Sequence, residues 1–162
     1  MKLYIVRHAW AGEHGDPRYP NDGLRPLTDD GRKRFAAMMK RVAGHALQPA
    51  LIATSPLVRC RQTAEALAEH LPSPPRIVER VELQPGSDLE GLIGWSAEQA
   101  VPSLAWVGHA PDVGLMAAAL IGDATGSIRF AKGAVCLIEF DSVIAPGRGE
   151  LQWLVTAKTL GC

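Results

Sequence analysis

The stretch KLYIVRH, residues 2–8, contains a short apolar run between charges and ends in an arginine and a histidine. An unbroken apolar run of this length predicts a strand that is buried on both faces of a sheet. Strand-like segments recur at residues 51–54, 77–81 and 104–107, and segments with helical spacing of apolar residues separate them. This alternation predicts an α/β fold, a three-layer α/β/α sandwich around a central, mainly parallel sheet.

The C-terminal part of the chain has a different pattern. Residues 128–130, 135–140 and 151–155 have the composition of strands, and segments containing glycine and proline join them. They predict an antiparallel edge of the sheet toward the C-terminus. Because no linker-like or repeated segment interrupts the chain, residues 1–162 are predicted to form a single domain.

The helix after the first strand has a clear predicted start. Thr28 is the expected N-cap, and the next two residues are aspartates, which complement the helix dipole in a first turn. From Phe35 the apolar residues keep helical spacing as far as Ala46. The preceding residues 10–27 form the longest irregular stretch, and a loop of that length in a compact domain is often functional.

Charge and cysteine content exclude several classes of function. Lysine plus arginine and aspartate plus glutamate both total 17, so the formal net charge is zero. Broad binding to nucleic acid or to an anionic membrane needs excess positive charge, so neither is expected. The three cysteines are an odd number without close pairing, which argues against a disulfide framework. No apolar run approaches the roughly 20 residues that span a bilayer, and none at the N-terminus is long enough for a signal peptide. We therefore expect a cytoplasmic protein.

Polar side chains follow the predicted parallel strands at the point where each strand ends. Arg7 and His8 end the first strand, Arg59 lies one turn into the helix after the second, Glu82 follows the third and His109 the fourth. Sites in open parallel sheets form beyond these carboxyl ends. Guanidinium groups bind phosphate oxygens in a fork, a neutral imidazole attacks phosphorus, and a carboxylic acid protonates a departing oxygen. The set predicts phosphoryl transfer.

The same residues lie in motifs that resemble a known family. RHA at residues 7–9, RPLT at 25–28, SPLVRCRQTA at 55–64 and GH at 108–109 together resemble the histidine phosphatase superfamily, also called phosphoglycerate-mutase-like. The short chain, the RHA start and ELQP at residues 82–85 are most similar to its single-domain bacterial phosphohistidine phosphatases. Most members begin RHG, and Ala9 indicates that neither a positive φ nor a close backbone approach is needed here.

The resemblance implies a role for each residue at the strand ends. His8 would be the nucleophile that is transiently phosphorylated, Arg7 and Arg59 would hold the phosphoryl oxygens, and His109 would stabilise the transferring group. Glu82 falls where larger members carry their general acid, and Asp88 is a rival for that role. Members of the family need no cofactor, which agrees with the absence of metal-ligand spacing in this sequence.

The expected substrate is phosphohistidine on a signalling protein. No insertion that would close over the site is visible, and an open site suits a phosphoryl group displayed on a protein domain. A histidine leaving group, with a free pKa near 6.5, is also far less basic than an alkoxide and needs a weaker acid. Two alternatives are a phosphatase of a small phosphomonoester, such as a sugar or nucleotide phosphate, and a non-catalytic phosphate-binding module. His14 in the long loop is a further candidate for substrate contact, His45 and His70 are assigned no role, and no oligomeric state is predicted.

Overall fold

The computed structural model describes residues 1–42 and 47–162, so His45 and Ala46 lie outside the described residues. The strands are β1 Lys2–Arg7, β2 Leu51–Thr54, β3 Arg76–Glu79, β4 Ser103–Gly108, β5 Val135–Glu139 and β6 Glu150–Val155. The helices are α1 Asp29–Val42, α2 Val58–Ala68, α3 Leu89–Glu98 and α4 Asp112–Leu120. Two short 3₁₀ helices cover Asp22–Leu24 and Val81–Leu83.

The strands form one mixed sheet in the order β3-β2-β4-β1-β5-β6. The pairs β3-β2, β2-β4 and β4-β1 are parallel, whereas β5 runs antiparallel to β1 and β6 antiparallel to β5. The predicted parallel sheet with an antiparallel C-terminal edge is therefore confirmed.

Helices cover both faces of this sheet. Tyr4 and Val6 of β1 pack into one apolar cluster with residues of α1 and α2, while Leu3 and Ile5 pack into another with residues of α3 and α4. Successive side chains of a strand point to opposite faces, so a continuous apolar run is what a strand between two helical layers requires. The predicted three-layer arrangement is confirmed.

The sheet order places two of the predicted site residues side by side. In the parallel pairing of β1 with β4, Arg7 lies opposite Gly108, so His8 and His109 leave neighbouring strands at the same level. The backbone N–H of His8 donates to the carbonyl of Gly108 at 3.0 Å and continues the ladder by one residue. The carboxyl edge of the sheet therefore positions both imidazole rings.

The start of α1 packs against the long loop at residues 10–27. The Thr28 hydroxyl accepts a hydrogen bond from the backbone N–H of Gly31 at 3.0 Å, as predicted for an N-cap. Gly31 packs directly on the loop, since a Cβ atom there would lie 2.2 Å from the Trp10 carbonyl oxygen. A glycine is required at this crossing.

Two predicted strands differ from the structure. Residues 128–130 are not a strand: the Ile128 N–H bonds the Gly114 carbonyl of α4, and the Phe130 carbonyl accepts from the Arg7 side chain. Their backbone groups bond α4 and the Arg7 side chain instead of a neighbouring strand. The third strand ends at Glu79 rather than at residue 81, because its partner β2 ends at Thr54 and the chain turns into the 3₁₀ helix Val81–Leu83.

Among the helices in the described part of the chain, none is long and apolar enough to cross a membrane.

Candidate active site

The His8 ring is held in one orientation at the end of β1. Its Nδ1 lies 2.7 Å from the Ala9 carbonyl oxygen. A carbonyl only accepts, so Nδ1 carries the proton and Nε2 keeps its lone pair. Burial is the main effect that lowers the pKa of His8, to about 3, so the ring is neutral at neutral pH. This is the form that a nitrogen nucleophile needs.

His109 lies beside His8, with the ring centroids 5.3 Å apart and the ring planes at 60°. Its Nδ1 is 3.4 Å from an Arg59 nitrogen, and its Nε2 is 3.0 Å from the Ser55 hydroxyl oxygen. A guanidinium only donates, so Nδ1 accepts and the Nε2–H donates to Ser55. Burial lowers the pKa of His109 to about 4. The second ring is therefore also neutral and bonded on both sides.

The two predicted arginines approach the site from different sides. Arg59 on α2 is 4% exposed, and its Nη1 donates to the Asp22 carbonyl at 3.0 Å. Arg7 donates through Nη1 to the Phe130 carbonyl at 2.8 Å. Among residues 1–42 and 47–162, nothing accepts a hydrogen bond from the buried Nε–H of either arginine. Buried donors are nearly always satisfied, so these two guanidinium groups have capacity for an anionic acceptor.

A cleft of about 510 Å³ opens at this edge of the sheet. It is lined by His8, Arg59 and His109, by His14, Asp22 and Arg25 of the long loop, and by the turns around residues 85–86 and 110–112. Arg7 lines an adjoining depression of about 280 Å³ that shares residues 110 and 111 with the cleft. The structure thus brings four of the five predicted site residues to one place.

The fifth, Glu82, is not among the residues that line the cleft. It lies on the short 3₁₀ helix after β3, and its carboxylate is paired with the Arg80 guanidinium. Asp88, the predicted rival, caps α3 by accepting from the Gly91 N–H at 3.0 Å. Both carboxylates have protein partners away from the two histidines. The general-acid role of either residue stays a prediction.

Asp22 is a site residue that the sequence analysis missed. Its carboxylate accepts from Arg25 Nε at 2.8 Å, lies 3.0 Å from His14 Nδ1, and lies 3.1 Å from Arg59 Nη1. The hydrogen bond from Arg25 is the largest cause that holds the pKa of Asp22 well below its usual range. One carboxylate in the cleft is therefore ionised and orients three basic side chains.

A match to a family model extends over most of the fold described above. A family model of the histidine phosphatase superfamily (branch 1) matches residues 3–114, which span β1, β2, β4 and the start of α4. The chain belongs to the histidine phosphatase superfamily. It is a hydrolase, a phosphatase of the kind that passes the phosphoryl group through a phosphohistidine on the enzyme.

Relatives of this histidine phosphatase match between 78% and 99% of its length. An uncharacterized protein of Picosynechococcus sp. is 38% identical over 130 residues, which are 78% of this chain and 76% of the relative. The phosphohistidine phosphatase SixA of Escherichia coli is 27% identical over 164 residues, covering 99% of this chain and 96% of that protein. A structure of the protein histidine phosphatase SixA complexed with tungstate superimposes with a TM-score of 0.83 at 26% identity and covers 99% of each chain.

Residues of α2 hold the site of this histidine phosphatase together. The Thr63 hydroxyl accepts from the Ala9 N–H at 3.0 Å and donates to the Arg59 carbonyl at 2.7 Å. Gln62 accepts from the Leu27 N–H at 2.8 Å and so fixes the end of the long loop. Ala9 has no positive φ, as predicted from the RHA motif. Helix α2 thereby locks the backbone on which the His8 ring depends.

Cys60 lies beneath His109, with its sulfur 3.4 Å from His109 Nε2. Burial raises the pKa of this thiol to about 12, so it stays protonated at neutral pH. A buried thiol is a poor nucleophile, and Cys60 acts as packing under the ring. Within residues 1–42 and 47–162, no three histidine, cysteine, aspartate or glutamate side chains are grouped so that they could hold a metal ion.

The two buried histidines should make the protein less stable in mild acid. Their folded pKa values are about 3 and 4, against about 6.5 in an unfolded chain. Between pH 6.5 and 4 the unfolded chain binds protons that the folded protein does not, so lowering the pH lowers the free energy of unfolding. The loss is up to about 1.4 kcal/mol per pH unit for each histidine.

Urea denaturation at pH 7 and pH 5 measures this effect. The His8→Asn and His109→Asn variants should each lose less free energy of unfolding between the two pH values than the wild type does. An equal loss in the wild type and both variants would contradict the assignment.

Proposed function

We propose that His8 is the nucleophile of this phosphatase, that Arg7 and Arg59 bind the phosphoryl oxygens, and that His109 stabilises the transferring group. The observation that carries the proposal is the His8 ring. It is neutral, its Nδ1–H is fixed on the Ala9 carbonyl, and it lines the same cleft as Arg59 and His109. The buried Nε–H groups of the two arginines, for which the described residues offer no acceptor, support the same assignment.

The proposed reaction has two steps. The His8 Nε2 lone pair forms a bond to phosphorus while the bond to the leaving atom breaks, and the electron pair departs with the leaving atom, which takes up a proton. Water then attacks the phosphohistidine, the N–P bond breaks with its electron pair returning to Nε2, and phosphate and one proton are released. The guanidinium groups neutralise charge on the three equatorial oxygens in both steps.

We further propose that the substrate is phosphohistidine on a signalling protein and that residues 1–162 act as one catalytic domain. The named relative SixA supports the first point, since it is a phosphohistidine phosphatase that matches nearly the whole chain. The engagement of Glu82 and Asp88 away from the cleft also supports it. A leaving imidazole needs less help from an acid than an alkoxide does.

Exposed apolar side chains near the cleft suit a protein substrate. Leu24 is 61% exposed beside the cleft residue Arg25, and Leu115 is 46% exposed one turn after Asp112. Burial of exposed apolar surface against a partner is favourable, at roughly 25 cal/mol per Å², and exposed apolar side chains beside a site are a feature of binding surfaces. We propose that Leu24 and Leu115 contact the phosphorylated protein.

Turnover of a histidine-phosphorylated protein domain and of small phosphomonoesters at matched concentration tests the substrate. We expect preference for the protein. Leu24→Ser should lower kcat/KM for it by about tenfold, because an apolar contact worth about 1.4 kcal/mol is lost. The same variant should leave p-nitrophenyl phosphate unaffected.

Val143→Ser is the matched control. Val143 is also 61% exposed, but it follows β5 at the end of the sheet opposite to the cleft. Its replacement should therefore change neither activity. A strong preference for one sugar or nucleotide phosphate, together with an unchanged kcat/KM in Leu24→Ser, would contradict the protein substrate. The proposed mechanism at His8 would be unaffected by that result.

A further inference from the structure

The proton needed by the leaving atom has no assigned donor among the residues predicted from the sequence. Glu82 is paired with Arg80, and Asp88 caps α3. Three other titratable groups of the described chain line the cleft beside His8 and His109: His14, Asp22 and Asp112. These three groups are the candidates for the donor of that proton.

The two aspartates are poor candidates for a proton donor. Asp22 accepts from Arg25 and lies against Arg59, which holds its pKa well below the usual range of a carboxyl. Asp112 accepts from the Gly86 backbone N–H at 3.0 Å. The donors bonded to Asp22 favour its charged form, which has no proton to give. The Asp112 carboxylate is already occupied as the acceptor for the Gly86 N–H.

His14 has the geometry of an acid–base group. Its Nδ1 lies 3.0 Å from Asp22 Oδ1, and Nε2 makes no hydrogen bond with the described residues. The other oxygen of the same carboxylate is 3.1 Å from Arg59 Nη1. The Asp22 carboxylate therefore contacts both His14 and Arg59, the residue that binds the phosphoryl oxygens in the proposed function. A histidine oriented by a carboxylate, with its second nitrogen free, is a recurrent arrangement for proton transfer.

We infer that His14 is a further catalytic residue, which gives a proton to the leaving atom and later takes one from the attacking water, and that Asp22 is the positioning residue that orients it. In the first step, the bond from phosphorus to the leaving atom breaks and that atom takes the proton of His14 Nε2. In the second, the water oxygen bonds to phosphorus while the bond from phosphorus to His8 Nε2 breaks, its electron pair returns to His8, and one water proton returns to His14 Nε2. This inference rests on the proposed function, in which His8 accepts the phosphoryl group.

The test is the dependence of rate on the leaving group. An acid matters most when the leaving group is a strong base, so His14→Gln should lower kcat/KM for phenyl phosphate by about 100-fold. It should lower kcat/KM for 2,4-dinitrophenyl phosphate less than about threefold, because dinitrophenolate leaves without protonation. A role in binding or loop packing would lower both rates by the same factor.

His70→Gln is the matched control, since His70 follows α2 away from the cleft and bonds the Ala66 carbonyl through Nδ1. It should leave both rates unchanged. Equal losses on the two esters, or no loss on either, with His14→Gln would overturn the inference. If His8→Ala turned over both esters at the wild-type rate, the proposed function would fail instead, so the two failures are distinguishable.

Discussion

Replacing His8 with alanine is expected to lower the turnover of every phosphorylated substrate by at least about 10⁴-fold. The expectation follows from the single free ring nitrogen at the end of β1, whose partner Nδ1 is committed to the Ala9 carbonyl. Without that lone pair, the phosphoryl group must pass directly to water. Steady-state release of phosphate from p-nitrophenyl phosphate and from a histidine-phosphorylated protein measures the loss.

A matched substitution separates chemistry from folding in that experiment. His70→Ala removes a histidine outside the cleft and should keep full activity. Urea denaturation at pH 7 should show that the His8→Ala protein is folded. Residual activity above about 1% of the wild type in a folded His8→Ala protein would argue for another nucleophile.

Arg59→Ala is expected to lower kcat/KM by about 10³-fold, the usual cost of removing a charged donor from a phosphoryl-transfer site. Arg59 is 4% exposed and contacts His109, and its buried Nε–H has no acceptor in the described part of the chain. Arg59→Lys should recover only a small part of the rate, because an ammonium group cannot form the planar fork that binds two phosphoryl oxygens. The measurement is kcat/KM for p-nitrophenyl phosphate.

Arg61→Ala is the control for this variant. Arg61 lies on the same helix but is exposed and paired with Glu79 at 3.3 Å. Exposed ion pairs contribute about 0–1 kcal/mol, and Arg61 lies outside the cleft, so its loss should leave kcat/KM unchanged. If Arg59→Ala and Arg61→Ala had equal effects, the phosphoryl-binding role of Arg59 would be wrong.

The strand–helix pattern of the sequence was sufficient to predict the architecture. The run from Leu3 to Val6 is apolar on both alternating sets of side chains, and the structure places it between two helical layers. The strand prediction that was wrong depended on hydrogen-bond partners that local sequence does not encode. Residues 128–130 have the composition of a strand, but their backbone bonds Gly114 of α4 and the Arg7 side chain instead of another strand.

The residues of the candidate site also differ in whether local sequence could predict them. His8 and His109 follow strands of a parallel sheet, so their position at one edge could be predicted without knowing that β1 and β4 are neighbours. Asp22 could not be found in this way. Its contact with Arg59 joins residues 37 apart through a loop whose backbone has no periodic pattern. The three-residue spacing of Asp22 and Arg25 was a local signal that could have indicated their ion pair.

The location of the phosphoryl group on the enzyme tests the central claim most directly. The enzyme should be mixed with a radiolabelled histidine-phosphorylated protein, quenched in alkaline denaturant, in which phosphohistidine survives, and digested for mass spectrometry. We predict an acid-labile phosphoryl group on the peptide that contains His8, and no such group in the His8→Ala variant. A phosphoryl group on His109 or on any other residue, or turnover without a phosphorylated enzyme, would contradict the account.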